Sequence, residues 1–287
     1  MQTRKFVLPL LAFLTLALSL NLSAPKAWAQ LVTVDYPGGT ETDCNDITNA
    51  GIVVGFYLDT SSLGHGFEFA NNKFKAINFP GAIDTRIYGI NSKNVMVGWY
   101  IDAGGVTHGF MDNAGTFTTI DPPNTELTNA WTITDSGEMV GTYVDTTTGA
   151  YTGFTLVNGT YTPYSAPNSI LTEITGLNSN NQEVGIFDDA TTGNEHGFVL
   201  VGSRFIEIAH DTVTASDRIN RQGTIVGLYG SSTSGPFSGY ELANKKYTKV
   251  MFPGSTETRV RGINDLGTIV GRYTDTSGVI HGMMGTP

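Results

Sequence analysis

Four histidines recur at one position of a repeated sequence, where they could act as metal ligands. Thr and Ser occupy the same position in two further copies; the six residues are His65, His108, Thr152, His196, Ser238 and His281. Equivalent residues of sheets packed face to face lie about 10 Å apart, whereas metal–nitrogen bonds are about 2.0 Å long. We therefore expect each histidine to bond a neighbouring group, and we expect no metal and no cofactor.

A carboxylate also recurs, four residues after a Val-Gly pair. The series is Asp59, Asp102, Asp145, Asp189 and Asp275, with Ser231 in the fifth copy. One carboxylate per copy would suit calcium or sugar binding, but Asp and Ser share the ability to cap backbone N–H groups in a turn. The chain has no calcium-loop, phosphate-loop or nucleophilic-serine motif. The series therefore predicts turns rather than a catalytic centre.

Both series belong to one unit that is repeated six times. The glycines of the Val-Gly pairs are Gly55, Gly98, Gly141, Gly185, Gly227 and Gly271, spaced 42 to 44 residues apart. Two clear copies are YGINSKNVMVGWYIDAGGVTHG at 88–109 and RGINDLGTIVGRYTDTSGVIHG at 261–282. Each copy contains four short runs typical of strands, separated by turns with Gly or Asn, which tolerate positive φ. Four strands in about 43 residues, repeated, are typical of a β-propeller blade.

The two ends of the chain complement each other. The sixth copy stops at Met283-Met284 without a fourth strand, and Leu31 to Tyr36 resembles the fourth strands of other copies. Joining that segment to the last blade would hide the sheet edges. We predict an all-β fold, a six-bladed β-propeller with four-stranded blades, closed by the N-terminal strand. Residues 30–287 would form this single domain.

Residues 1–29 are predicted to be a secretory signal peptide. Arg4 and Lys5 precede an apolar run from Phe6 to Leu20, and Ala27-Trp28-Ala29 matches a cleavage site before Gln30. Cleavage would leave 13 basic and 26 acidic residues, a formal net charge of −13. This charge disfavours nucleic acid as a partner, and no later segment is apolar enough to span a membrane. We expect an exported monomer, extracellular or periplasmic, in which the single Cys44 forms no disulfide within the chain.

The repeats at 31–287 resemble bacterial extracellular proteins of the HAF-repeat type. The resemblance rests on the unit G-I-N-x-x-G-x-I-V-G-x-Y-x-D-x-x-G-x-x-H-G-F, with His-Gly-Phe here where the family's tripeptide is His-Ala-Phe. It implies an exported repeat protein and implies no reaction.

Positions that vary among the copies are candidates for a unique site. They lie on the strand that leads into the Ile-Asn pair. If the N-terminal strand is the outermost strand of its blade, this strand is the innermost one, and all six copies converge there. One position carries Asp43, Arg86, Asn129, Glu173, Ala215 and Arg259; another carries Asn45, Tyr88, Trp131, Thr175, Asp217 and Arg261. A third carries Glu41, Asp84, Leu127, Leu171, Val213 and Glu257.

These residues predict a mouth that is ionic in copies six, one and two and more apolar in copies three to five. Arg86, Arg259 and Arg261 could hold a carboxylate or uronate, and Tyr88 and Trp131 could stack on a sugar ring. The predicted ligand-binding set is Asp43, Arg86, Tyr88, Trp131, Glu173, Arg259 and Arg261. The alternative is a solvated mouth whose ion pairs contribute little.

Three functions remain open from the sequence. The first is a binding module for polysaccharide or cell-surface material. The second is a secreted carbohydrate-active hydrolase or lyase that uses acids among Glu41, Asp84, Glu173 and Glu257. The third is a structural surface protein whose ring serves as a rigid platform.

Overall fold

The computed structural model describes residues 31–286, which form an all-β fold without a helix in that range. That part of the chain accordingly contains no helix able to cross a membrane. The predicted signal peptide at 1–29 lies outside the described residues.

Twenty-four strands run through the described residues. The first twelve are β1 (Val32–Thr33), β2 (Glu41–Ile47), β3 (Val53–Leu58), β4 (Gly64–Ala70), β5 (Lys73–Ile77), β6 (Asp84–Ile90), β7 (Val95–Ile101), β8 (Thr107–Asn113), β9 (Thr116–Ile120), β10 (Thr125–Ile133), β11 (Met139–Asp145) and β12 (Tyr151–Val157). The others are β13 (Thr160–Tyr164), β14 (Ser169–Leu177), β15 (Gln182–Asp189), β16 (Glu195–Val201), β17 (Arg204–Ile208), β18 (Val213–Ile219), β19 (Ile225–Gly230), β20 (Ser238–Ala243), β21 (Lys246–Val250), β22 (Glu257–Ile263), β23 (Ile269–Thr274) and β24 (Ile280–Gly285).

Consecutive strands pair antiparallel in sets that follow the sequence repeat. Units 1 to 5 are β2–β5, β6–β9, β10–β13, β14–β17 and β18–β21, and unit 6 is β22–β24 together with β1. Single parallel pairs, β8 with β10, β12 with β14 and β16 with β18, join units 2 to 5 into one sixteen-stranded sheet. The N-terminal strand is shorter than predicted, but it pairs with β24 through Val32 and Thr33, and the Val34 N–H extends the contact to the Gly282 carbonyl at 2.9 Å.

The asparagine of the Ile-Asn pair directly follows the strand that leads into it. Its side chain links its own unit to the next one. The Asn264 side-chain oxygen accepts hydrogen bonds from the backbone N–H groups of Leu266 at 3.0 Å and Thr268 at 2.9 Å. Its amide nitrogen donates to the Thr48 carbonyl of unit 1 at 3.1 Å. Asn91, Asn178 and Asn220 make the same kind of bond to the following unit.

Where the recurring histidines and aspartates occur, they bond groups of their own unit. His108 Nδ1 lies 2.7 Å from Asp121 Oδ2, and its Nε2 lies 3.5 Å from Asp102 Oδ2. Burial alone would lower the pKa of His108, but its hydrogen bonds and charge interactions with Asp121 and Asp102 raise it. Asp102 Oδ1 accepts the N–H groups of Gly104 at 2.8 Å and Val106 at 2.9 Å, as expected of a turn-capping residue. Within residues 31–286 no group of three or more His, Cys, Asp or Glu side chains is arranged to hold a metal ion.

The hydrophobic core lies between adjacent units. Val54 of unit 1 packs with Ile87 and Phe110 of unit 2, and Val270 of unit 6 packs with Cys44 of unit 1. Cys44 is fully buried, and burial raises the pKa of its thiol well above the usual value. It therefore serves as a small core residue and is not activated as a nucleophile.

Each Val-Gly glycine permits a close approach of two neighbouring strands. A Cβ added at Gly98 would lie 2.0 Å from the Arg86 carbonyl oxygen. The other five glycines of the series have the same contact, at 1.9 to 2.2 Å from the carbonyl oxygen of the equivalent residue. Next to this contact every first strand carries a β-bulge, as between Ile87 and Gly89 in unit 2.

We predict that Gly98→Ala destabilises the protein by about 3 kcal/mol, because backbone must move to admit the methyl group. Urea unfolding of the variant measures the loss. Gly104→Ala is the matched control, since its Cβ would meet only the Asp102 side-chain oxygen at 3.2 Å in an exposed turn. Equal stability losses for the two variants would contradict the close-approach explanation.

Candidate functional site

The six bulges direct one side chain from each unit into a shared cavity. The residue left unpaired at each bulge is Asn45, Tyr88, Trp131, Thr175, Asp217 or Arg261. All six line one cavity of about 440 Å³, here called the central cavity. This volume falls in the range of roughly 300–1,000 Å³ that is usual for small-molecule sites.

Arg218 closes one end of the central cavity. It follows the bulged Asp217, and it is only 6% exposed. Its guanidinium donates to four backbone carbonyls from four different units; the acceptors are Tyr88, Trp131, Thr175 and Asp217. A second cavity of about 190 Å³ lies among the Ile-Asn turns, and Arg218 is the one residue shared by the two linings. The Arg218 side chain therefore forms the partition between them.

The charge of Arg218 is balanced by a carboxylate from unit 1. Asp46 Oδ2 lies 3.8 Å from Arg218 Nε. The same carboxylate accepts the backbone N–H groups of Ile47 at 2.9 Å and Ile90 at 3.1 Å. Burial lowers the pKa of Arg218 and raises that of Asp46, and the attraction between the two charges opposes both shifts. Removing either partner would leave an uncompensated buried charge.

Two further arginines line the cavity, and each already has an acidic partner. Arg261 Nη1 lies 2.9 Å from Asp217 Oδ1, and Arg259 Nε lies 2.6 Å from Glu257 Oε1. The Arg259 guanidinium also lies over the Phe237 ring, 4.6 Å from its centre. Burial would lower the pKa of Arg261, but the charges of Asp217 and Asp43 raise it, so this side chain stays cationic.

Three carboxylates on the lining lack a cationic or hydrogen-bonding partner among the described residues. They are Glu173 on β14, Asp188 on β15 and Glu195 on β16, all in unit 4 and all half-buried. The pKa of Glu173 is raised to about 7, first by burial and then by the charges of Glu195, Asp217 and Asp188, while Arg261 acts in the opposite direction. Burial, Asp188 and Asp217 likewise raise the pKa of Glu195 to about 7. Burial also raises the pKa of Asp188.

Apolar and aromatic side chains complete the wall of the central cavity. Val213, Ala215, Leu228 and Phe237 form a buried cluster against which Ile186 packs. Tyr88 and Trp131 meet edge to face, with ring centres 4.5 Å apart. Trp131 Nε1 donates to Thr142 Oγ1 at 3.0 Å, which fixes the orientation of the indole.

The structure places five of the seven predicted ligand-binding residues on this lining: Tyr88, Trp131, Glu173, Arg259 and Arg261. Asp43 and Arg86 are not among the lining residues. Asp43 is buried with its Oδ2 3.3 Å from Arg272 Nη1, and Arg86 donates two hydrogen bonds to Asp84 and lies over the Phe56 and Trp99 rings.

The acids suggested for catalysis are also mostly engaged. Glu41 pairs with Arg272 at 2.9 Å, Asp84 with Arg86 at 3.1 Å, and Glu257 with Arg259 at 2.6 Å. Glu173 is the one member of that set without such a pair among the described residues.

Several lining residues were not predicted from the sequence. Ile186 and Leu228 directly follow the glycine of the Val-Gly pair. This position varies among the copies, and the variation is a signal that could have identified it as part of the site. Its residues are Phe56, Trp99, Thr142, Ile186, Leu228 and Arg272. Glu195 lies on a third strand and reaches the cavity because it pairs with Asp188 and, in parallel, with Val213. Arg218 stands where three other copies have glycine, and nothing in its local sequence distinguishes it from a surface residue.

We predict that Arg218→Met lowers the free energy of unfolding by about 3–5 kcal/mol, because four carbonyls and Asp46 lose their partner. The double variant Arg218→Met/Asp46→Asn should lose less stability than the sum of the losses in the two single variants, because no uncompensated buried charge remains. Urea unfolding of the set measures this coupling. Arg204→Met, at an exposed arginine, is the control and should change little. Additive losses for Arg218 and Asp46 would contradict the assigned interaction.

We predict that Glu173→Gln changes the pH dependence of stability. Glu173 has a folded pKa of about 7 against an ordinary value of 4.5, so the folded chain holds more protons between these values. Wild-type stability therefore falls as pH rises through this window. The variant should gain on the order of 2 kcal/mol relative to wild type between pH 4.5 and pH 7.5.

Thermal unfolding at a series of pH values tests the Glu173 prediction. Glu126→Gln, at an exposed glutamate on β10, serves as the matched control. A stability difference between Glu173→Gln and wild type that does not change with pH would contradict the raised pKa.

The sequence matches no protein-family model and no curated protein. Solved structures with a similar fold include a virginiamycin B lyase from Staphylococcus aureus (13% identity, TM-score 0.53, 90% of this chain and 100% of that one). A second is the Aleuria aurantia lectin in complex with a fucosyl disaccharide (7% identity, TM-score 0.51, 88% of this chain and 93% of that one). A third is a gluconolactonase from Xanthomonas campestris (11% identity, TM-score 0.54, 90% of this chain and 90% of that one).

These neighbours are β-propeller-like proteins, so the likeness supports a propeller-like all-β architecture for this chain. At such low identities the likeness shows the fold alone.

Proposed function

We propose that residues 30–287 form a single six-bladed propeller closed by β1. Three contacts between the two ends of the chain support closure. β1 pairs with β24, Asn264 donates to the Thr48 carbonyl at 3.1 Å, and His281 Nδ1 lies 2.7 Å from Asp35 Oδ2. With closure, units 1 and 6 are neighbours, and the central cavity lies on the axis of the ring.

We also propose that the chain is exported after cleavage before Gln30, and that it belongs with bacterial HAF-type repeat proteins. The apolar run and the Ala-Trp-Ala site support export, and the repeat unit supports the family. N-terminal sequencing of the secreted protein should begin at Gln30; a chain that retains residues 1–29 would contradict cleavage.

The function that the geometry supports best is non-covalent binding of a small saccharide in the central cavity. One observation carries this proposal: six variable side chains, one per unit, converge on a cavity that Arg218 closes at one end. A closed end gives a ligand a defined depth, which an open channel would not.

The lining has the two kinds of group that saccharide binding uses. Trp131, held by Thr142, and Tyr88 present flat apolar surface suited to the C–H face of a sugar ring. Asp188 and Glu195 present carboxylate oxygens suited to its hydroxyl groups. The lectin and gluconolactonase neighbours, whose names refer to carbohydrates, are compatible with this ligand class.

Catalysis is the second candidate, and one observation favours it. Glu173 and Glu195 both have pKa values raised to about 7, as suits a general acid or base at neutral pH. A hydrolase or lyase built on this chain would therefore use these two glutamates and not the arginine-paired Glu41, Asp84 or Glu257.

We predict that Trp131→Ala weakens saccharide binding at least tenfold, because it removes the aromatic wall that is fixed by Thr142. Isothermal titration with a panel of mono- and disaccharides measures the affinity. Tyr151→Ala, which removes an exposed aromatic ring outside the cavity, is the matched control. Chromatography of the same samples for new reducing ends separates binding from hydrolysis.

Two results would contradict the binding proposal. One is the absence of heat with every saccharide of the panel, and the other is equal weakening by Trp131→Ala and Tyr151→Ala. Product release that Glu195→Gln abolishes would instead favour the enzyme.

A further inference from the structure

The central cavity contains more negative charge than its own cations neutralise. Glu173, Asp188 and Glu195 have no cationic partner among the described residues, and they are close enough to one another for their charges to raise the pKa values of the two glutamates. Arg259 and Arg261 are held by Glu257 and Asp217. Arg218 is held by carbonyl oxygens and Asp46. Unit 4 therefore presents three carboxylates that form no ion pair within the described residues.

Deeply buried acceptors in the same cavity also lack a partner. Asn45 is 1% exposed and lines the cavity; its amide nitrogen donates to the Ile87 carbonyl at 2.8 Å, whereas its Oδ1 accepts nothing. Asp217 Oδ2 likewise has no partner, although Oδ1 of the same carboxylate binds Arg261. An unpartnered buried acceptor costs free energy unless a ligand or water donates to it. These oxygens point to a ligand that carries hydrogen-bond donors.

Two donor atoms of lining residues also make no hydrogen bond, namely Nε of Arg218, which lies 3.8 Å from Asp46 Oδ2, and Nε of Arg261. A hydroxyl group can donate to an acceptor such as Asn45 Oδ1 while it accepts from a guanidinium. The lining therefore suits a polyhydroxylated molecule better than a simple cation.

The acids of unit 4 do not form a metal site, since no three His, Cys, Asp or Glu groups in the described part of the chain come together in metal-binding geometry. An ammonium group needs no such set, because each of its three donors can bind a single carboxylate or a neutral acceptor. Ionised donors also make stronger hydrogen bonds to carboxylates than neutral donors do.

We infer that the ligand of the central cavity is an amino sugar with a free, protonated amine, seated with the ammonium group against Glu173, Asp188 and Glu195. This inference rests on the proposed saccharide-binding function and narrows its ligand class. The sugar hydroxyls would face Asn45 and Asp217, and the C–H face of the ring would lie against Trp131.

The test compares glucosamine, glucose and N-acetylglucosamine by isothermal titration of the full chain at pH 7. Acetylation keeps the ring and removes the positive charge, so it isolates the contribution of the ammonium group. Glucosamine should bind at least tenfold more tightly than either neutral sugar. Glu195→Gln and Asp188→Asn should each reduce this preference severalfold, whereas Glu126→Gln should preserve it.

Each outcome distinguishes the two proposals. Equal affinity for the three sugars, lost in Trp131→Ala, would overturn the amine inference and leave saccharide binding intact. No binding of any sugar, or binding that Trp131→Ala does not weaken, would overturn both. A glucosamine preference that survives both acid variants would place the amine elsewhere and overturn the assignment to unit 4. Thermal unfolding of each variant ensures that a lost preference is read only from folded protein.

Discussion

The close approach of two strands at the Val-Gly glycine is the constraint on which the rest of the structure depends. At Gly98 the backbone carbonyl of Arg86 occupies the space that any Cβ would need, and the contact recurs in all six units. Beside it lies the bulge that leaves one residue of each first strand out of the β-ladder. The scaffold glycine is thus invariant among the units, while the bulged residue next to it differs in each.

Six such bulges face one cavity, and the backbone carbonyl oxygens that converge there need hydrogen-bond donors. Arg218 supplies part of them. The bulged backbones direct the carbonyl oxygens of Tyr88, Trp131 and Thr175 toward the same point. One guanidinium from unit 5 satisfies them together, while Asp46 from unit 1 balances its charge. The carboxylates of unit 4 form no such ion pair, and burial together with neighbouring acids raises the pKa values of Glu173 and Glu195.

Repetition made most of the scaffold predictable. Turn residues such as Asn94 and Gly137 have the positive φ that their repeated positions indicate. The last copy lacks a fourth strand in the sequence, and β1 pairs with β24 in the structure. Residues that vary among the copies on the strand leading into Ile-Asn, including Trp131 and Arg261, line the central cavity.

The remainder of the site depends on interactions between units, which no single copy reveals. Arg86 belongs to the predicted ligand-binding set, yet Asp84 and two aromatic rings hold it. Glu195 has no place in that set, because it reaches the cavity through pairing between strands, including the parallel pair of β16 with β18. Arg218 gains its role from carbonyls of four units, a property of the assembled fold and not of its neighbours in sequence.

A crystal structure of the protein soaked with glucosamine tests the central claim most directly. We predict density for the sugar in the cavity above Arg218, with the amine nitrogen about 3 Å from a carboxylate oxygen of Glu173, Asp188 or Glu195. Sugar bound only in the grooves between units, or seated in the cavity with its amine away from these three acids, would contradict it.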